Sequence, residues 1–432
     1  MKILVTGLCT LHWGRLQYGN VGNYYIIEPL FRELHRVFPE AEVLTTFQMT
    51  EEFAQREDIT VLPMKLYYAW REDELALARE EYETVAAGSN YPSEYAKLLK
   101  RIDLLINFSG DMWGDNAEHV GKDRFAVDLY KMRTAQLLGV RTVLFAGTPG
   151  PFYDDTTREF AKKVLSGFDL VVNREPTSSA NLKKWDFEMA KVRDFACPAF
   201  LYQSESETVV SKIIRDENIF QRDHRKIVGF TIGGFNLPVG PYDMWPREEW
   251  QYEAFVEAIE HIVENLGARV LLISHTNGFL LPPDFKLING RDFPILKQLQ
   301  EILLKRGRVK KDDVLCVEHP HLPAVTKGII GQCDMMVTGR VHASVAAISQ
   351  YVPTVFISYE KSFVPSTKMY GFASLVGLGK YVCEPSDKEG ICNAVDQCWE
   401  NLDRIREQLH IEIPKVQKKA HDAFDEMVKI VK

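Results

Sequence analysis

Short uninterrupted apolar runs recur along the chain, and most end at a glycine or at a small polar residue. Lys2–Thr6, Leu104–Phe108, Thr142–Ala146 and Leu170–Val172 form one series, and Lys226–Ile232, Arg269–Ile273, Asp313–Val317, Met335–Thr338 and Thr354–Ile357 form a second. Continuous apolar strands without alternation are those of parallel sheets covered on both faces. Between them the period changes to that of helices. Ile26, Ile27, Leu30, Leu34 and Val37 mark one apolar stripe ended by Pro39, and Trp250, Phe255, Ile259, Ile262, Val263 and Leu266 mark another over Arg247–Leu266. Further helices are expected at Thr156–Gly167, at Arg340–Gln350 and from Asp387 to Val431. Residues 50–100, rich in Glu, Tyr and Ala, read as exposed helices without chemistry.

Two successive series of strand, turn and helix predict an α/β protein of two Rossmann-like, doubly wound domains facing a cleft. The boundaries fall at 1–205 and 226–395. Residues 206–225, polar and poor in apolar positions, are the expected linker. Residues 396–432 form a final helix expected to pack back on the N-terminal domain.

Composition narrows the picture only slightly. A chain of 432 residues with 46% apolar and 26% charged residues suits a globular protein too long for one core. A net charge of −8 argues against general nucleic-acid binding, and any polyanionic substrate must be drawn by a local basic pocket. The N-terminus lacks the pattern of a secretory signal, and no run of apolar residues is long enough to span a bilayer. Seven cysteines without Cys-x-x-Cys spacing suggest reduced thiols. The chain reads as cytoplasmic, with attachment to the inner face of the membrane left open. No metal site is expected: His319 and His321 stand i,i+2 across a proline without an evident carboxylate partner.

The chemistry concentrates at Cys333–Gln350. Here a buried strand, Met335–Thr338, runs into Gly339 and then a helix carrying Arg340 and His342 near its start. Helix N-termini attract anions through free N–H groups and the helix dipole. Arg340 adds a planar, permanently charged fork, and His342 a group that exchanges a proton near neutral pH. The plainer readings are a capping arginine and a satisfied core histidine.

This Gly-x-Arg-x-His stretch resembles the signature of the polysaccharide pyruvyl transferases, a GT-B-like family. The resemblance continues through the small-residue helix, Val352–Tyr359, a lysine in Lys368-Met-Tyr-Gly-Phe372, and Val376-Gly-Leu378. It extends to Asn20-Val-Gly22-Asn23, Ser109–Asp115, Gly150-Pro-Phe152 and Val172-Asn-Arg-Glu175. The chain departs from the family at Asn23, where an Asp is usual, and at Cys197, where Asp-Pro is usual.

The resemblance implies phosphoenolpyruvate as donor, no cofactor, and a saccharide acceptor on a cell-surface polysaccharide or its precursor. A lipid-linked acceptor at the membrane surface and a homo-oligomer are compatible with it. Two sugar hydroxyls add to the enol carbon, phosphate leaves, and a cyclic pyruvate ketal remains. His342 is then the expected acid, with Arg340 beside it. Arg174, Arg340, Lys368 or its rival Lys361, and the backbone at Gly339 and Val341 bind the donor. Asn20, Asn23, Asp111, Asp115 and His275 are the expected acceptor residues. Each has a plainer alternative: turn and cap chemistry for the Asn and Asp residues, a surface ion pair with Glu175 for Arg174, and a structural histidine at 275. Two other functions stay open, a GT-B glycosyltransferase using a nucleotide sugar and a non-catalytic homologue that binds saccharide.

Overall fold

In the computed structural model the described residues are 1–8, 12–90, 93–120, 123–220, 223–240, 244–359 and 367–431. They divide into two compact units, one of residues 1–17, 27–198 and 418–432, the other of residues 18–26 and 199–417.

The first unit is built on seven parallel strands: β1 (Lys2–Thr6), β2 (Glu42–Thr45), β3 (Ile59–Val61), β4 (Leu104–Asn107), β5 (Arg141–Gly147), β6 (Leu170–Asn173) and β7 (Val192–Asp194). Their order is β3-β2-β1-β4-β5-β6-β7, so the winding reverses between β1 and β4. The apolar runs are explained by burial: every residue of β4 and of β6 is buried. The helix Leu402–Val431 ends in this unit, where Phe424 packs on Phe145 of β5 with ring centroids 4.8 Å apart. His421 Nδ1 lies 2.7 Å from Glu33.

The second unit repeats the plan with six parallel strands: β8 (Ile227–Thr231), β9 (Arg269–Leu272), β12 (Val314–Cys316), β13 (Met335–Thr338), β14 (Thr354–Ile357) and β15 (Val382–Cys383). Their order is β12-β9-β8-β13-β14-β15, and the winding reverses between β8 and β13. After β9 the chain makes an antiparallel hairpin of β10 (Asn277–Leu280) and β11 (Lys286–Asn289) before returning to the helix Asp292–Arg306. In open α/β sheets ligands bind where the winding reverses, beyond the carboxyl ends of the strands.

Several local expectations change. Residues 206–225 hold the helix Glu207–Asp216, whose Val210 and Ile214 are buried; two apolar residues four apart suffice to seat a helix in this polar stretch. Val210 lies close enough to Gly328 that a Cβ there would stand 2.4 Å from it. The stretch expected as one helix from Asp387 breaks into Lys388–Trp399 and Leu402–Val431. Residues 50–100 contribute strand β3 as well as helices.

Candidate functional site

The reversal point of the second unit is a small polar assembly. Gly339 follows β13 and donates its N–H to the carbonyl of Thr231, the last residue of β8, at 2.7 Å. Arg340 has extended backbone (φ −114°, ψ 120°) and caps the helix Val341–Ile348, with its own N–H bonded to Thr338 Oγ1 at 3.0 Å. Asn236 binds this corner together. It accepts from the N–H of Gly233 at 3.0 Å and donates to the carbonyls of Gly339 at 3.2 Å and Ser358 at 3.0 Å. The loops after β8, β13 and β14 are thus fastened by one side-chain amide. A Cβ on Gly339 would stand 2.3 Å from that amide, so the turn admits only glycine.

The Arg340 side chain is buried and ion-paired with Asp292, the first residue of the helix Asp292–Arg306. A Cβ on Gly233 would fall 2.6 Å from the guanidinium and 2.7 Å from the carboxylate, so that glycine clears the space for the pair. Burial opposes the charge, but Asp292 and then Tyr359 outweigh it and hold the Arg340 pKa above its ordinary value. The guanidinium also lies 5.8 Å from the Phe235 ring, which stacks on Tyr359 at 5.3 Å. Lys368, buried on the helix Thr367–Ser374, places Nζ 4.2 Å from the Tyr359 ring. Two cations therefore share one aromatic pair, an arrangement that favours both charges.

His342 is half-buried in the first turn of its helix, with its ring 6.1 Å from Phe372. It also rests against Gly22, where a Cβ would lie 2.6 to 2.8 Å from the histidine Cβ and ring. Gly22 is the second residue of the helix Val21–Val37, which Asn20 caps by accepting the Gly22 N–H at 3.1 Å. Asn20 also forms a backbone bridge with Thr276. Asn20 and Asn23, read from sequence as N-terminal residues, thus belong with residues 18–26 to the second unit. Asn23 is half-buried and donates its N–H to the Asn20 carbonyl at 3.0 Å.

His275 does not reach solvent. It is buried edge-on to Tyr25, with centroids 5.4 Å apart. Burial first and the charge of Arg340 second pull its pKa down to about 3, so the imidazole is neutral at physiological pH.

Arg174, Asp111 and Asp115 lie in the first unit. Arg174 follows β6 and is buried; its Nε donates to Thr148 Oγ1 at 2.8 Å. Thr148 in turn donates to Glu175 at 3.4 Å, so Glu175 steadies the guanidinium through a hydroxyl. The Glu175 carboxylate also caps the helix Thr177–Lys184, accepting the Thr177 N–H at 2.7 Å and bonding the hydroxyls of Thr177 and Ser178. Asp115 accepts the Tyr153 N–H, which is turn chemistry, and burial raises its pKa against the pull of its backbone hydrogen bonds. Asp111 is half-buried, and its carbonyl accepts from Asn116 at 3.1 Å. Lys361 lies outside the described residues. His321 faces Glu217, 3.1 Å away.

The family model for polysaccharide pyruvyl transferases matches residues 20–361, well over half of the chain. The chain belongs to the polysaccharide pyruvyl transferase family. Its fold is that of the GT-B glycosyltransferases and sugar-nucleotide epimerases. A glycosyltransferase from Rickettsia africae ESF-5 superposes with a TM-score of 0.60 at 9% identity, covering 100% of this chain and 97% of that one. Anabaena Alr3699/HepE in complex with UDP gives 0.60 at 12% identity, with 99% of each chain covered. A UDP-GlcNAc 2-epimerase from Neisseria meningitidis gives 0.58 at 11% identity, covering 100% of this chain and 99% of that one.

Sequence reasoning passed over several residues that shape this pyruvyl transferase family member. Asn236 and Asp292 carried no signal beyond a polar residue shortly after a strand or at a helix start. Lys327, on the helix Pro323–Gly331, is buried with Nζ bonded to the Tyr202 carbonyl at 2.6 Å and lying 5.8 Å from the rings of Tyr25 and Tyr202. Burial pushes its pKa down to about 7. In the first unit Asp128 is buried beneath β4, accepting from Asn107 at 2.8 and 3.0 Å and from Tyr67. Burial raises its pKa to about 7, against the hydrogen bonds of Tyr67 and Asn107. Among the described residues no helix is long and apolar enough to cross a membrane.

Proposed function

We propose that this protein moves the pyruvyl group of phosphoenolpyruvate onto two hydroxyls of a saccharide, forming a ketal on a cell-surface polysaccharide or its precursor. One observation carries the reading: a fixed guanidinium, a buried ammonium and an imidazole are gathered around the start of one helix at the reversal point of the second unit. Arg340 is half-neutralised by Asp292, so its value to a ligand is direction rather than excess charge. Lys368 and the positive end of the dipole of the helix Val341–Ile348 supply the remaining attraction for a small molecule bearing carboxylate and phosphate.

The enol carbon becomes electrophilic when the methylene carbon takes a proton. His342 is the donor of that proton and then accepts one from a sugar hydroxyl. Addition of the first hydroxyl and loss of phosphate give a second electrophile, which the other hydroxyl closes to the ketal. Arg340 stabilises the charge on the departing phosphate or holds the carboxylate. Phosphoenolpyruvate carries its own leaving group, so the reaction calls for no cofactor. Arg174 toward the donor, and Asp111 and Asp115 toward the acceptor, keep the roles that the family resemblance implies, each tested by its own alanine variant. Synthesis on the cytoplasmic side would put the enzyme where phosphoenolpyruvate is made.

The test is incubation with phosphoenolpyruvate and galactose, mannose or N-acetylmannosamine glycosides, following phosphate release and the mass of the pyruvylated product. Acceptor-dependent phosphate release that is lost in His342→Ala and Arg340→Ala supports the reading. Absence of release across the panel, with thermal stabilisation by UDP-sugars alone, would replace it with nucleotide-sugar chemistry.

A further inference from the structure

The β10–β11 hairpin of the second unit presents an unusual tip. Leu280 is 46% exposed, Leu281 61%, Phe285 41% and Ile288 41%, and Pro282 and Pro283 at the turn are also exposed. The pairing puts Leu280 opposite Lys286 and Gly278 opposite Ile288, so Leu280 and Ile288 share a face and Leu281 crowns the turn. A two-stranded hairpin is marginal in water on its own, and this one is steadied at its base and along one face instead. Tyr18 packs on Phe285 at 4.7 Å and on Phe279 at 5.9 Å, Asn277 donates to the His321 carbonyl at 2.8 Å, and Asn289 donates to the Glu318 carbonyl at 2.9 Å. A hairpin braced in this way, with Leu280, Leu281 and Ile288 left exposed, is a device for presenting those side chains.

We infer that the hairpin tip docks into the interfacial region of a lipid bilayer. Three observations select this occupant. The exposed side chains amount to on the order of 300 Å² of apolar surface, far below the roughly 800 Å² per partner of a stable protein interface, which disfavours a second copy of this chain. Between Asn277 and Gly290 the charged residues are Asp284 and Lys286, one of each sign, so the tip has no net attraction to an anionic surface, and Leu280, Leu281 and Ile288 must supply the binding while both charges stay among the head groups. The hairpin also stems from the candidate site: Thr276, just before β10, accepts the Asp292 N–H through Oγ1 at 3.0 Å, and Asp292 holds Arg340. Four residues of strand place the tip roughly 13 Å from that base, a reach of two or three sugar units. An acceptor glycan tethered to a lipid in the same bilayer would be offered at that height.

Docking is independent of the pyruvyl reaction, so its test needs no phosphoenolpyruvate. The full chain is sedimented with neutral phosphatidylcholine vesicles at 0.1 and 0.5 M NaCl, beside Leu280→Ser/Leu281→Ser and the single variant Leu281→Ser. The expected result is salt-insensitive co-sedimentation, weakened about tenfold or more in the double variant and by an intermediate factor in the single one, with melting temperatures unchanged. Should the double variant fold poorly, the single variant decides. A wild-type chain that stays in the supernatant, or variants that sediment as well as wild type, would overturn the inference. So would binding confined to anionic vesicles at low salt, or a wild-type dimer by light scattering that the variants lack.

Discussion

Gly22 lies so close to His342 that only the absence of a side chain leaves room for the imidazole, although 320 positions separate the two in sequence. A methyl group on Gly22 would sit 2.7 Å from the histidine Nδ1. Gly22→Ala must push the imidazole aside or shift the first turn of the helix Val21–Val37. Overpacking of this kind costs about 1–3 kcal/mol. We expect a modest loss of stability and at least a tenfold loss of acceptor-dependent phosphate release, because the displaced ring is the proposed acid. Melting curves read beside steady-state kinetics check both.

Asp292 is the counter-charge of a buried guanidinium, and its removal leaves that charge uncompensated. Asp292→Ala should lower unfolding free energy by about 3–5 kcal/mol, the usual penalty for breaking a buried pair from one side. Asp292→Asn keeps the size and one acceptor oxygen and should recover part of the loss. Urea titration of the variants provides the measurement.

Lys327 imposes a cost that depends on pH. Its folded pKa of about 7 lies below the ordinary lysine value of 10.5, so the folded chain releases a proton that the unfolded chain keeps. The cost is fully present below pH 7 and is relieved as pH rises from about 7 toward 10.5. Lys327→Met should therefore raise the melting temperature most at pH 6.5, with the gap to wild type narrowing by pH 9.5. A gap that widens with pH would contradict the assignment.

Thr148 links Arg174 to Glu175 through one hydroxyl. Thr148→Val keeps the shape and removes both hydrogen bonds, at a cost of about 1–2 kcal/mol. If Arg174 meets the donor, the KM for phosphoenolpyruvate should rise severalfold while kcat changes little. Thr148→Ser should restore the wild-type value.

The two sheets were readable because parallel strands buried on both faces leave unbroken apolar runs, as in Leu104–Phe108 and Met335–Thr338. The hairpin was not, because Leu280-Leu-Pro-Pro283 has neither the alternation nor the Asn-Gly turn that marks such pairs. The same divide runs through the candidate site. Gly339, Arg340 and His342 are neighbours in the chain and announce themselves as a motif. Asn236 lies 103 residues from the carbonyl it holds, and Asp292 lies 48 residues from Arg340, so only folding brings out their purpose. At His275 the structure favours the plainer alternative for a related reason: the end of a strand fixes where a side chain begins, while packing of Tyr25 against it decides where the ring goes.

The closing stretch of the helix Leu402–Val431 gives the first unit an awkward birth order. Its β1 leaves the ribosome long before its last helix does, and His421 must find Glu33 across 388 residues of chain, and Phe424 must cover Phe145. Until residues 418–431 are made, that patch of β5 has no lid and stays wet. Nascent chains stalled before residue 418 should accordingly be protease-sensitive in this unit and should recruit chaperones, a liability written into the topology.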